Sequence, residues 1–383
     1  MAKAILHALE KNPESSVISQ TTLTILITAL RNSVSILHKQ DIQTAARSIG
    51  QYVTGIDGAK IRLGDDCAAI PQGEGSNQQG SDQQGYLLFA AEGIWPQFVL
   101  QDPWFAGWCA VMVNLSDIAA MGGEAIAIVD TLWSQTLEKS EPLWAGMQAA
   151  ANAYGIPIVG GHTNCHSSYD GLAVAVLGKS QALITSFDAQ PGDALIMVMN
   201  MEGDYYGDYT FWNAATKTDP AILRKQLKLL PTLANKKLCT AGKDISMGGL
   251  AGTLLMLCEA SGCGAVLNLD RVPKPSDTSW TKWLTSFPSY GFLLSAPKKN
   301  ITEIERLFVP HGLTCTVVGE VIPGADVWFQ LNQQQQLFWN LTHSLTGFNG
   351  SHQTGSQQAG SQQAGSQQTG SQQAGSQQRG LSE

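Results

Sequence analysis

The sequence predicts an α/β protein built from two domains and followed by a low-complexity tail. The chain has 383 residues, and domains of about 150 residues are typical, so its length predicts two of them. Apolar runs typical of strands alternate with helix-like segments between residues 86 and 319. From Gly347 onward, a five-residue Gly/Ser/Gln repeat offers almost no apolar surface, which predicts disorder.

The individual elements follow in order, and cap or turn residues mark several of their ends. Asp102 as N-cap and Pro103 in the first turn predict the start of a helix, and Gly122-Gly123 predicts its end. Strands are predicted at residues 86–91, 125–132, 157–160, 172–178, 194–199, 265–269, 291–296 and 313–319. Helices are predicted at residues 103–121, 142–154, 220–238, 250–261 and 300–308.

The turn Pro191-Gly192-Asp193 opens the second run of strands and helices. The predicted regions are a helical arm (1–40), a first domain (41–180), a second domain (190–346) and the disordered tail (347–383). The apolar face of the arm consists of Leu23, Ile27, Leu30, Ile36 and Leu37. A Gly/Ser/Gln-rich segment, residues 73–85, is predicted to be an expanded surface loop.

Charge and cysteine content exclude several classes of protein. With 23 Lys+Arg against 31 Asp+Glu and a net charge of −8, the chain lacks the basic surface of a nucleic-acid binder. The apolar run 23–30 is too short for a membrane span, and Glu10, Pro13 and Glu14 interrupt any signal peptide. The seven cysteines contain no CxxC pair, so we expect a cytoplasmic protein without a disulfide framework.

Five acidic residues stand in positions that could carry chemistry. They are Asp65, Asp66, Glu92, Asp117 and Asp244. Asp117 lies three residues after Asn114 on a helix that is apolar nearly all round, so it must meet a cation or several donors. The other four lie at strand or loop ends beside glycines. A turn explains Asp65 and Asp66, and a helix cap or Asx turn explains Asp244, about as well as a ligand role does, whereas a strand-end acid such as Glu92 is more often simply solvated. A structural role is also the more common one for a single histidine such as His162.

Taken together, these acids favour a hard metal ion. Carboxylates that converge without thiolates suit Mg²⁺ or Mn²⁺ better than zinc, and Mg²⁺ usually accompanies substrate phosphates. The glycine pairs 122–123, 160–161 and 248–249 would let backbone N–H groups approach phosphate oxygens. The residues alone therefore indicate Mg-dependent phosphate chemistry.

Several motifs then resemble a known group of proteins. They are GDDCAAI (64–70), NLSDIAAMGG (114–123), GGHT (160–163), PGD (191–193) and DISMGGLAGTLLMLCEASGCGAVL (244–267). Their order is that of the aminoimidazole ribonucleotide (AIR) synthetase superfamily, which the chain resembles over about residues 40–345. Members include AIR synthetase, thiamine-monophosphate kinase, selenophosphate synthetase and the hydrogenase maturation carbamoyl dehydratase. The chain looks most like an AIR-synthase-related branch.

The resemblance implies two α/β domains and a homodimer in which two four-stranded N-terminal sheets close an eight-stranded barrel. It implies ATP and several Mg²⁺ ions in a groove between the domains and near the dimer interface. By position, the implied metal ligands are Asp65, Asp66, Glu92, Asp117 and Asp244. The implied nucleotide-binding residues are Gly64, Asn114, Gly160, Gly161 and Ser246, and His162 is the candidate catalytic residue.

Several positions depart from the patterns of the named enzymes. Ala90-Ala91-Glu92 replaces the Ser/Thr-Thr-Asp triplet of thiamine-monophosphate kinase, and Met247 replaces one of its aspartates. We therefore expect ATP- and Mg-dependent phosphoryl transfer to an unidentified small molecule, without nucleic-acid or membrane partners. Thiamine-monophosphate kinase activity and a non-catalytic nucleotide-binding scaffold are the alternatives. The general base would be His162 or a metal-bound water.

Overall fold

The computed structural model describes residues 16–55, 58–72 and 85–349 of the chain. The start of the predicted arm, most of the loop at 73–85 and the tail from residue 350 lie outside the described residues. Helices are α1 (Ser16–Arg31), α2 (Val34–Leu37), α3 (Ile42–Ile49), α4 (Pro96–Gln101), α5 (Pro103–Ala120), α6 (Leu137–Tyr154), α7 (Pro220–Leu227), α8 (Leu229–Asn235), α9 (Gly249–Ser261), α10 (Trp280–Leu284) and α11 (Ile301–Phe308). None of the described helices is long and apolar enough to cross a bilayer.

Strands make up most of the remaining regular secondary structure among the described residues. They are β1 (Tyr52–Thr54), β2 (Lys60–Arg62), β3 (Ala68–Pro71), β4 (Tyr86–Ile94), β5 (Glu124–Trp133), β6 (Ile158–Asn164), β7 (Gly171–Ser180), β8 (Ala194–Met199), β9 (Asp204–Tyr205), β10 (Phe211–Asn213), β11 (Ala241–Asp244), β12 (Gly264–Asn268), β13 (Phe287–Pro288), β14 (Gly291–Ala296), β15 (Thr314–Ile322), β16 (Asp326–Leu331) and β17 (Gln334–Asn340).

The first large sheet has five strands in the order β3-β4-β7-β5-β6. The pair β5–β6 is parallel and the other pairs are antiparallel. Helix α5 packs on β4 and β7, and α6 packs on α5, so helices cover one face of the sheet. The sheet has five strands rather than the four that the resemblance implied, because Ala68–Pro71 pairs with the edge of β4. The described part of a single chain forms no closed barrel.

The second large sheet has seven strands in the order β11-β14-β8-β15-β12-β16-β17. Its centre is apolar on both faces. In β8, Leu195 and Met197 enter one hydrophobic cluster while Ile196 and Val198 enter another on the opposite face. Such a strand reads as a continuous apolar run, which is how residues 194–199 appear in the sequence.

The N-terminal arm packs against this second sheet. Leu23, Ile27 and Leu30 of α1 are buried in the same cluster as β8, as the apolar face predicted. The Arg31 guanidinium donates to the backbone carbonyls of Phe338 at 2.7 Å and Leu337 at 2.8 Å, which fixes the end of α1 to β17.

The boundaries of several predicted elements differ from the structure. The helix predicted at 142–154 begins at Leu137, because Thr136 caps it and Pro142 is tolerated inside. The helix predicted at 220–238 is two helices, α7 and α8. Strands β16 and β17 were not predicted. Their two-residue hairpin turn is Asn332-Gln333, both with positive φ, and the glutamines of β17 obscure its alternation.

The last described residues are packed into the protein. Buried Glu259 accepts hydrogen bonds from the backbone N–H groups of Leu345 (2.7 Å) and Thr346 (2.8 Å). Phe348 is 7% exposed and lies so close to Gly64 that a Cβ there would collide with it. Gly347 and Phe348, which the sequence assigned to the tail, therefore belong to the folded structure because an aromatic side chain breaks the polar repeat.

Candidate functional site

Three aspartates from distant parts of the sequence converge at one place. Asp66, Asp117 and Asp244 each offer a carboxylate oxygen, and these oxygens lie within 4.8 Å of one another. We call these three residues the acid triad. Asp66 lies in the loop before β3, Asp117 in α5 and Asp244 at the end of β11. The two large sheets therefore each contribute to the triad.

Lys243 links the loop that carries Asp66 to the strand that carries Asp244. Its buried ammonium group contacts Asp66 Oδ1, and the backbone N–H of Asp244 donates to Asp66 Oδ2 at 3.3 Å. Burial alone would lower the pKa of Lys243, but Asp66, Asp65 and Asp244 together raise it, so it stays charged. Lys243 was not identified from the sequence, because the burial of the short strand β11, where a cation needs a counter-ion, is not evident from residues 241–244 alone.

The triad carries more negative charge than its surroundings neutralise. Burial, followed by the charge of Asp66, raises the pKa of Asp244 to about 8. Burial, followed by Asp244 and Glu92, raises the pKa of Asp117 well above its usual range. Asp117 Oδ2 is buried and has no hydrogen-bond partner among the described residues. An unpartnered carboxylate oxygen beside two further carboxylates fits a divalent cation with oxygen ligands.

Asp65 lies next to the triad but outside it. Its carboxylate accepts hydrogen bonds from the backbone N–H of Ser186, at 2.8 Å, and from the Ser186 hydroxyl. Burial and the neighbouring charge of Asp66 raise the pKa of Asp65 to about 6. The contacts of Asp65 thus tie the triad loop to the segment between the two sheets.

Glu92 and Ser246 lie at the rim of the triad. Glu92 lies in the exposed last third of β4, and desolvation raises its pKa while Lys39 opposes the shift. The Lys39 ammonium lies 3.5 Å from Ser246 Oγ. Lys39 comes from the short turn His38–Asp41 between α2 and α3 and was not identified from the sequence, because nothing local distinguishes it from a surface lysine.

Asn114 and Gly64 also lie on the elements that form the triad. The Asn114 amide donates to the carbonyl of Ala110 at 2.8 Å, while its buried Oδ1 has no partner among the described residues. Gly64 has φ +98° and lies against Phe348, so both its backbone conformation and its packing require glycine. These contacts explain why glycine is needed at position 64 without any role in nucleotide binding.

Gly160, Gly161 and His162 are not brought to the triad within one chain. They lie exposed on β6, the edge strand of the first sheet. The register runs Glu92–Val174–Asp130–Gly161 across four strands, which separates Glu92 from Gly161 by about 14 Å at the usual strand spacing.

The edge strand borders a cleft of its own. The cleft holds about 620 Å³ and lies between β6 and α6, with Trp144 and Gln148 on the helix side and Gly160 and Gly161 on the strand side. Asp130 lies beneath Gly161 and is 3% exposed, and neither of its carboxylate oxygens has a hydrogen-bond partner among the described residues. Asp130 was not identified from the sequence, where its position inside an apolar strand is the sole indication of a special role.

Two family models and several known proteins match the chain. Residues 64–180 match the family described as AIR synthase related protein, N-terminal domain, and residues 190–331 match its C-terminal domain. The chain is similar to "Uncharacterized protein sll0787" of Synechocystis sp., with 51% identity over 330 residues that cover 86% of this chain and 99% of that protein. It is also similar to thiamine-monophosphate kinase of Methanospirillum hungatei, with 29% identity over 236 residues that cover 57% of this chain and 79% of that one.

A solved structure shows the same fold. The T. maritima protein PurL complexed with ADP matches with a TM-score of 0.63 at 18% identity, over 85% of this chain and 54% of PurL, so the chain spans about half of that protein. The two matched segments and the Synechocystis relative show that the chain belongs to the AIR synthase related protein family, with its mixed α/β two-domain fold.

Proposed function

We propose that the protein transfers a phosphoryl group from ATP to a small-molecule acceptor, with Mg²⁺ or Mn²⁺ as cofactor. The observation that carries this proposal is the acid triad with the buried, unpartnered Oδ2 of Asp117. The kinase relative and the ADP complex of PurL support a nucleotide as the second component.

Asp66, Asp117 and Asp244 would hold the metal ion, with Glu92 at the rim as a further oxygen ligand. A bound divalent cation supplies charge neutralisation for phosphate oxygens. The chain itself would hold Asp66 in place through Lys243 and keep water away by burying two of the three carboxylates.

A second copy of the chain would complete the site. The uncovered face of the first sheet exposes Phe89 (51%), Val129 (41%) and Leu177 (37%), and these residues lie on the same side because they alternate with buried ones. Pairing this face with its twin would bury apolar side chains and bring exposed Gly160, Gly161 and His162 near the triad of the other chain. His162 would then contact the transferring group or orient the acceptor.

Thiamine-monophosphate kinase activity is the alternative that the relative from Methanospirillum hungatei favours. It requires a second phosphate beside the metal. Ala90, Ala91 and Glu92 stand where that enzyme has two hydroxyls and an aspartate, and Mg²⁺ tolerates distorted octahedral coordination poorly. We expect turnover of thiamine monophosphate at least about a hundredfold below an ordinary rate near 10 s⁻¹. If steady-state assays showed phosphorylation of thiamine monophosphate at a normal rate, the alternative would be correct.

The metal proposal is tested with Asp117→Asn, which keeps the size of the side chain and removes its charge. ATP affinity in Mg²⁺ should fall more than about tenfold, or ~1.4 kcal/mol, by isothermal titration calorimetry. Asp208→Asn is the matched control, because Asp208 is exposed and outside the triad. Equal affinities for the wild type and Asp117→Asn would disprove the metal site. An ADP-release assay over a metabolite panel then identifies the acceptor.

A further inference from the structure

The side chain of Lys39 faces the acid triad without forming an ion pair with it. The charged side chains around it are Asp244, Lys243, Glu92 and Asp66. Among the described residues, no carboxylate oxygen lies within 4.0 Å of its ammonium group, which donates a hydrogen bond to the Ser246 hydroxyl at 3.5 Å. An ammonium group has three donors, so Lys39 retains donors for another partner.

The chain holds Lys39 in place from both sides. Before it, Arg31 fixes α1 to β17 through two backbone carbonyls. After it, the Gln43 amide donates to the carbonyls of Ser344 at 2.9 Å and Leu345 at 3.2 Å. A lysine on a free surface loop would lose much rotamer and backbone entropy on binding a ligand, whereas this turn is already ordered.

The glycine turn after the triad is shaped to receive this segment. Gly248 has φ +99°, and a Cβ at that position would lie 3.3 Å from the carbonyl oxygen of Ser35. The backbone of α2 therefore approaches the start of α9 closely enough to bring Lys39 over Ser246. This is a packing reason for glycine in the motif Ser246-Met247-Gly248-Gly249.

The two lysines at the site have different partners. Lys243 is buried and committed to Asp66. Lys39 is half-buried at the mouth of the triad, and removing part of its hydration costs free energy that an anion would offset. Resting on the proposed function, we propose that Lys39 binds a phosphate group at the mouth of the acid triad, either the terminal phosphate of the nucleotide or a phosphate on the acceptor.

The proposal is tested with the full-length Lys39→Met variant and three probes in Mg²⁺: a non-hydrolysable ATP analogue, ADP, and inorganic phosphate added to the ADP complex. If Lys39 binds the terminal phosphate, affinity for the analogue falls at least about tenfold while ADP affinity is unchanged. If it binds the acceptor phosphate, both nucleotides bind as in the wild type and phosphate binding to the ADP complex is lost. Wild-type affinity for all three probes would overturn the proposal.

Controls separate charge, folding and the wider function. Lys39→Arg should retain part of the affinity, and Lys236→Met, which removes an exposed lysine paired with Glu303, should change none of it. In the unmodified protein, the analogue or phosphate should protect Lys39 from acetylation, measured by mass spectrometry, and the absence of protection by any probe would also overturn the proposal. If Asp117→Asn weakens binding and Lys39→Met does not, the phosphate-binding role of Lys39 is refuted while the proposed function stands. If neither variant changes binding, the proposed function fails as well.

Discussion

The two large sheets differ in how many of their apolar faces are buried. In the second sheet, helices cover both faces, and β8 is buried along its whole length. In the first sheet, α5 covers one face while Phe89, Val129 and Leu177 stay exposed on the other. A contiguous exposed apolar patch marks an interaction surface in most proteins. From this contrast we predict that a second copy of the chain covers the open face of the first sheet, whereas the second sheet needs no further cover.

The largest expected effect concerns the buried face of the second sheet. Phe292→Ala, in a strand with 0% exposure at this residue, should lower the free energy of unfolding by ~3–5 kcal/mol because it leaves a cavity. The measurement is urea unfolding. Phe89→Ala removes the same atoms from the open face and should cost about 1 kcal/mol or less. Any contribution of a second copy is separated by its dependence on protein concentration. Equal costs at the two positions would remove the contrast between the sheets.

Assembly is the next largest effect. The wild type should sediment as a dimer at micromolar concentrations, and Leu177→Arg should give a folded monomer because it places a charge on the open face. Analytical ultracentrifugation measures this directly. If β6 of a second copy completes the site, the Leu177→Arg monomer should also lose ATP affinity. Ile222→Arg is the matched control, since Ile222 is exposed (45%) on α7, away from the sheet. A monomeric wild type would contradict the pairing.

The titration of the buried carboxyls in and beside the triad should give a smaller effect, on stability. A carboxyl whose folded pKa is raised contributes stability that is fully present below about pH 4 and is lost as the pH rises through the folded value. The folded values are about 6 for Asp65 and about 8 for Asp244. The metal-free protein should therefore lose thermal stability as the pH rises toward 8, and Mg²⁺ should raise Tm more at pH 8 than at pH 5.

The variant Asp244→Asn isolates the contribution of this residue. Its Tm should depend less steeply on pH between 6 and 9 than that of the wild type, because one raised carboxyl has been removed. Differential scanning calorimetry of both proteins without metal provides the comparison. Parallel Tm curves would show that Asp244 does not titrate in this range.

The smallest effect should come from shortening the chain. Cutting after Asn349 should leave dimerisation and ATP binding unchanged, because the removed Gly/Ser/Gln repeat has almost no apolar surface. Cutting after Thr346 also removes Phe348, which packs on Gly64, and should lower stability. Thermal unfolding compares the two truncations. A lower Tm after the cut at Thr346 would show that residues 347–349 belong to the folded structure, and identical Tm values would contradict this.

The sequence predicted features that depend on local chemistry. Asp117 was identifiable because a carboxylate inside an apolar helix has few structural explanations, and the continuous apolar run 194–199 indicated a central strand. In the structure, the Asp117 carboxylate lies beside those of Asp66 and Asp244. The assignment of a metal to these residues stays a prediction.

Features that depend on distant contacts were not predictable. Lys243 and Lys39 matter because of the residues that the fold places beside them, and a single sequence does not show those neighbours. Strand β17 escaped detection because its pairing with β16, rather than its own composition, determines its conformation. Phe348 was grouped with the tail because its packing partner, Gly64, lies far from it in the sequence.

The contact between Asp66 and Lys243 has a consequence for how the molecule unfolds. The aspartate precedes the first sheet and the lysine lies in the second, so the triad exists only while both sheets are docked. Any ligand held by the triad therefore acts as a crosslink between the two halves of the chain and raises the stability of both by mass action. Unfolding of the liganded protein should be one cooperative transition, and the occupancy of this small cluster should govern the cohesion of the whole fold.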